Sequence, residues 1–76
     1  MRVYLQHDPY TPVRFTVNFT GDFYSMNVDV DGQNNWTDDF AVEFAAQLIK
    51  DEYDWDVLSN CLSAEVTGAS LIERVA

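Results

Sequence analysis

Along residues 13–20, Val13, Phe15, Val17 and Phe19 alternate with Arg14, Thr16, Asn18 and Thr20. A period of two marks a strand with one buried face. Residues 23–30 repeat it, with Tyr24, Met26, Val28 and Val30 set against Phe23, Ser25, Asn27 and Asp29. Gly21-Asp22 lies between the two runs, and a two-residue loop with Gly first suits a type II′ hairpin turn. That turn predicts Thr20 opposite Phe23, then Phe19 opposite Tyr24, Val17 opposite Met26, Phe15 opposite Val28, and Val13 opposite Val30. All four apolar pairs share one face, and Arg14 falls opposite Asp29 on the other. A one-residue slip would destroy the arrangement. Asp31-Gly32 reads as the turn that ends the second strand.

The period then changes. Thr37 is a good helix N-cap, and Asp38 and Asp39 occupy the first turn, where the helix dipole favours anions. Phe40, Ala41, Phe44, Ala45, Leu48 and Ile49 form a broad apolar stripe at helical spacing, with Asp39, Glu43, Gln47 and Lys50 opposite. A helix over about residues 38–51 follows. Packing its stripe on the apolar face of the hairpin (about 13–20 and 23–30) gives an α+β, two-layer domain with an antiparallel sheet. Arg2–His7 reads as a short extra strand, broken by Asp8-Pro9 and Thr11-Pro12. Tyr53, Trp55 and Val57 alternate with Asp54 and Asp56, while Leu58–Ala64 fits a short helix equally well. Glu65–Thr67 and Ser70–Val75, separated by Gly68-Ala69, suggest one or two further short strands near the C-terminus.

Composition changes the picture through its sign. The 76 residues hold thirteen Asp and Glu against four Lys and Arg, a net charge of −9. Hydrophobic residues at 47% and aromatics at 14% are too many for an acidic disordered tail, so residues 1–76 read as a single small acidic domain. Direct binding to nucleic acid needs clustered Lys and Arg and is excluded on charge. Attraction to an anionic membrane is disfavoured for the same reason. No run approaches the ~18 apolar residues of a membrane span. Met1–Tyr10 lacks the basic and apolar regions of a secretory signal. Cys61 is the only cysteine, so neither an intrachain disulfide nor a zinc or iron–sulfur set is available, and the expected location is cytoplasmic.

Candidate chemistry is sparse. Asn27-Val28-Asp29-Val30-Asp31-Gly32, with Asp38 at the twelfth position, has the oxygen spacing of an EF-hand calcium loop. The match departs at position 1 (Asn27), position 8 (Asn34) and position 12 (Asp38 for the usual Glu), and Val28 and Val30 already belong to the strand. A hairpin end leading into a capped helix accounts for the same residues. His7 and Cys61 are the remaining nucleophile–base pair in principle, with nothing local to join them. No Gly-rich phosphate loop occurs and no cofactor is implied, so the chain reads as non-enzymatic.

What remains is where the acids fall. No base occurs between Arg14 and Lys50, an interval that holds Asp22, Asp29, Asp31, Asp38, Asp39 and Glu43; after Lys50 come Asp51, Glu52, Asp54 and Asp56. Solubility accounts for such a surface in general. A partner with a basic groove accounts for it too, because complementary potential speeds encounter, and Tyr53 and Trp55 add aromatic anchors among the last four acids.

In its organisation the chain resembles small acidic phage-encoded inhibitors of host defence, of the anti-CRISPR and anti-restriction type. The features shared are a short cysteine-poor domain, a tight hairpin packed with one helix, and carboxylates gathered without basic neighbours. No motif is shared, so no residue role is carried over. The resemblance implies a host protein or ribonucleoprotein as partner, its nucleic-acid-binding groove occupied by acidic mimicry of DNA. On this reading Asp38, Asp39, Glu43, Asp51, Glu52, Asp54 and Asp56 make the electrostatic contact, with Tyr53 and Trp55 as anchors. The alternatives are a small structural or assembly adaptor that binds through a sheet edge, and a calcium-binding module built on Asn27, Asp29, Asp31 and Asp38.

Overall fold

A computed structural model describes residues 9–72. Strand β1 (Pro12–Thr20) pairs antiparallel with β2 (Ser25–Gln33) on one side and with β3 (Ser63–Leu71) on the other. The sheet order is β2-β1-β3, and among the described residues one α-helix, α1 (Asp38–Tyr53), packs on one face. A short 3-10 turn (Val57–Ser59) connects α1 to β3. The α+β two-layer fold is therefore as expected. The strand expected at Arg2–His7, and the end of the last strand at 73–75, lie outside the described residues.

β1 is the spine of the core. Its apolar alternates Val13, Phe15, Val17 and Phe19 are all buried, whereas Arg14 is exposed and Thr16, Asn18 and Thr20 line the opposite face. Fully burying each such side chain stabilises the fold by about 1.5–3 kcal/mol. Pro12, which has no N–H to donate, stands at the first position of the strand, where the ladder tolerates it.

The hairpin register differs from the expected one by two residues. Thr20 faces Ser25, Phe19 faces Met26, Val17 faces Val28, Phe15 faces Val30 and Val13 faces Gly32. An even shift keeps every apolar side chain on the core face, but it moves Arg14 opposite Asp31 instead of Asp29. The cause is a four-residue loop, Gly21–Tyr24, closed by the Gly21 amide donating to the Tyr24 carbonyl at 2.9 Å. Tyr24 folds back so closely over Gly21 that a Cβ there would overlap its ring. Asp31-Gly32 is accordingly not a turn, and β2 runs on to Gln33.

The helix starts as its cap predicts, with the Thr37 hydroxyl accepting from the Phe40 amide at 3.1 Å. Its buried face is rotated from the expected stripe by about a quarter turn. Ala41, Ala45, Ala46 and Ile49 meet the sheet, whereas Phe40, Phe44 and Leu48 stay exposed along one flank. Small residues let the helix sit low on the sheet, and Trp36 takes up the aromatic flank. Its ring stacks on Phe15 at 6.0 Å and meets Phe40 and Phe44 at 4.6 and 5.0 Å between centroids.

β3 is one strand with a bulge. Thr16 pairs with Gly68 and Val17 with Val66, leaving Thr67 as the extra residue. Ala64 and Val66 before it, and Ala69 and Leu71 after it, thereby all turn toward the helix side. The Gly68-Ala69 interruption, which left one or two strands open, stands beside this bulge within one continuous strand.

Candidate acidic and aromatic interface

The nine residues expected to form one interface fall into two groups. Asp38, Asp39 and Glu43 stand at the start of α1, and Asp51, Glu52, Tyr53, Asp54, Trp55 and Asp56 at its end. From Asp39 to Glu52 the helix rises about 20 Å. The second group gains a neighbour that the linear pattern did not supply. Tyr24, in the hairpin loop, meets Trp55 edge-to-face at 5.5 Å, and its hydroxyl donates to the Asn60 carbonyl at 2.9 Å. The Leu62 amide donates to the Thr20 carbonyl at 2.7 Å. These contacts fasten the hairpin loop, with Asp22 and Phe23, to the segment that carries the acids.

The local chain sets each carboxylate. Asp51 accepts from the Gln47 amide one helical turn back at 2.9 Å. Asp54 closes the helix in the left-handed conformation (φ 54°, ψ 41°), its N–H donating to the Lys50 carbonyl and its carboxylate accepting from Lys50 Nζ at 3.0 Å. Asp56 caps the 3-10 turn: Ser59 Oγ donates to it at 2.8 Å and the Ser59 amide at 3.3 Å. Those two bonds, the hydroxyl first, hold the Asp56 carboxyl below its ordinary value. Glu52 and Tyr53 point outward, Tyr53 being 70% exposed. Trp55 is partly buried against the core, so its ring braces the loop and does not stand free as an anchor.

Among the described residues, the hairpin loop and the end of α1 thus carry Asp22, Asp51, Glu52, Asp54 and Asp56 against one base, Lys50, which is already paired with Asp54. Among the described residues the only other base is Arg14. It is bound by Asp31 through two bonds of 2.8 and 3.3 Å on the outer sheet face. That pairing raises the guanidinium's pKa and lowers the Asp31 carboxyl's, in both cases mainly through the hydrogen bond.

The segment considered for calcium is extended strand. Asn27, Asp29 and Asp31 project from the outer face of β2, where Asn18 donates to Asn27 at 3.0 Å, Thr16 to Asp29 at 2.9 Å, and Arg14 holds Asp31. Alternate residues of a strand lie about 7 Å apart in a row and do not wrap an ion. Asp38 belongs to the helix layer instead. Among the described residues, no three His, Cys, Asp or Glu side chains form a group that could hold a metal ion.

A cleft of about 460 Å³ opens at the opposite end, lined by Tyr10, Pro12, Asp31, Gly32, Gln33, Trp36 and Ile72. The one carboxylate among these described lining residues is Asp31, already committed to Arg14. Cys61 is half-buried with its thiol directed to the Leu58 carbonyl at 3.9 Å, and His7 lies outside the described residues. No described polar or charged side chain is buried, and no described helix is long and apolar enough to cross a membrane.

Phe23 is the residue that sequence reasoning missed. It was placed in a strand opposite Thr20, but it stands at the tip of the loop, 99% exposed. The available signal was its parity, a lone aromatic in line with Ser25, Asn27 and Asp29 on the polar face. No protein-family model matches the chain, and no match is found among curated proteins or solved structures.

Proposed function

We propose that the protein is a non-enzymatic inhibitor that presses the end of the molecule carrying Asp22 and Asp51–Asp56 onto a basic, nucleic-acid-binding surface of a host protein or ribonucleoprotein. The observation that carries this reading is charge that is local and unneutralised. Among the described residues, five carboxylates are carried by the hairpin loop and the segment after Lys50, and that lysine is already bound to Asp54. Coulombic attraction to a basic groove is long-ranged at low salt and raises the encounter rate, while carboxylates replace phosphates as its counter-charge. The anti-CRISPR or anti-restriction mode, acting in the host cytoplasm by mimicry of DNA, is the form of this function that the chain's organisation resembles. Asp38, Asp39 and Glu43 extend the negative field along the helix and act by steering rather than by contact.

The test is a salt series on binding to a purified basic-groove partner with Asp51→Asn, Glu52→Gln, Asp54→Asn and Asp56→Asn combined. Asn tolerates the left-handed position at 54 and still accepts at the cap at 56, so the fold survives. Affinity should fall at least tenfold and its salt dependence should flatten. Unchanged affinity removes the site.

A further inference from the structure

Phe23 is the most exposed large apolar side chain among the described residues. An exposed phenylalanine on a floppy loop would need no explanation, but this loop is built. The Gly21 amide closes it on the Tyr24 carbonyl at 2.9 Å, and Tyr24 is laid flat over Gly21, where no Cβ would fit. Tyr24 is in turn held by Trp55 at 5.5 Å and by the Asn60 carbonyl at 2.9 Å. The neighbour that packs inward therefore fixes the one that points out. Leu62, at the foot of the loop through its bond to Thr20, is also 72% exposed.

We infer that Phe23 is a preorganised anchor that enters an apolar pocket in the partner's basic surface, with Leu62 covering the pocket's rim. This rests on the acidic-interface reading and sharpens it. A groove lined by Lys and Arg alone would gain nothing from an apolar ring at the tip. A protein pocket ringed by Lys and Arg would use both the ring and the carboxylates of Asp22, Glu52 and Asp54. Aromatic anchors carry a disproportionate share of interface energy when they bury in such pockets. Holding the loop in its bound shape beforehand removes an ordering cost from binding. Charge disfavours the other occupants: a second copy would bring like-charged acids together, and an anionic lipid surface would repel them.

The experiment places the photo-crosslinking residue p-benzoylphenylalanine at position 23 or at position 52 in the full chain and irradiates each in bacterial lysate. The protein crosslinked from position 52 is then purified and titrated with wild type, Phe23→Ala and Phe23→Leu across a salt series. Position 23 should crosslink the same protein. Phe23→Ala should weaken binding tenfold or more at every salt concentration, with the salt slope and the thermal midpoint unchanged, and Phe23→Leu should recover part of the loss. Wild-type affinity in Phe23→Ala, with a steep salt slope retained, overturns the anchor alone. No crosslink from position 52, or binding indifferent to salt, overturns the interface reading as well. Retention of wild type on phosphatidylserine vesicles, lost in Phe23→Ala, overturns the protein pocket in favour of lipid.

Discussion

The ring of Trp36 lies directly on Gly32, so closely that a Cβ on that glycine would come within 2.6 Å of the indole Cδ2. Gly32 has no left-handed backbone, so its requirement is room and not conformation. Trp36 is held against the strand by ring contacts with Phe15, Phe40 and Phe44, and any shift of its ring must disturb them. Gly32→Ala should therefore destabilise the domain by about 1–3 kcal/mol, the usual cost of overpacking. Urea denaturation followed by tryptophan fluorescence measures it, and an unchanged midpoint would show that the ring is free to move.

Asp54 is the one described non-glycine residue with positive φ. The left-handed conformation costs an L-residue roughly 1–2 kcal/mol, somewhat less for Asp than for most. Asp54→Gly should raise stability by up to about 1 kcal/mol, since Gly is the common residue past a helix C-terminus and the exposed pair with Lys50 adds little. The same substitution should weaken partner binding by removing one carboxylate. A gain in thermal midpoint together with a loss of affinity is the expected result.

Two hydrogen bonds from Ser59 lower the folded-state pKa of Asp56, so the sign of its pH effect is fixed. A depressed acid contributes stability that is fully present above the unfolded value, about 3.9, and lost as pH falls through the folded value. The stability advantage of wild type over Asp56→Asn should be constant near neutrality, shrink below about pH 4 and reach its floor in stronger acid. Denaturation curves of the two proteins at matched pH check this; a difference that does not change with pH would contradict the cap.

Glu52 stands in the last turn of α1, where the exposed carbonyls make the helix end negative. A carboxylate there is unfavourable by roughly 0.3 kcal/mol at low ionic strength. Glu52→Gln should stabilise the free protein slightly, and added salt should erase the gain. If the residue serves binding, the same variant should lose affinity, so that stability and function move in opposite directions.

Much of this fold was readable because its signals are local. The alternation from Val13 to Phe19 and the Thr37 cap lie within a few residues of what they specify. The register was not readable, because Tyr24 fits the strand's alternation and leaves it for contacts with Trp55 and Asn60, far along the chain. The helix face misled for a related reason. Phe is more hydrophobic than Ala, but the face under the helix buries Ala41 and Ala45, and the phenylalanines stay exposed with Trp36 as their ring partner. At the candidate site, Asp51–Asp56 is a cluster in sequence and remains one in space. Asp39 and Glu43 were grouped with it by charge alone, and the length of α1 separates them.

The place of β1 between its two partners has a kinetic side. β2 follows it after a four-residue loop, but β3 arrives only after the whole helix, and closing so long a span is entropically slow. Mutations in β3 should then give φ-values near zero, with higher values in the hairpin, when folding and unfolding rates are compared. Until β3 docks, the free side of β1 is an unpaired edge, the kind of surface through which nascent chains pair with each other. Mutual repulsion between chains of charge −9 works in that interval. An excess of acids over bases thus keeps incomplete copies of the protein apart while they fold.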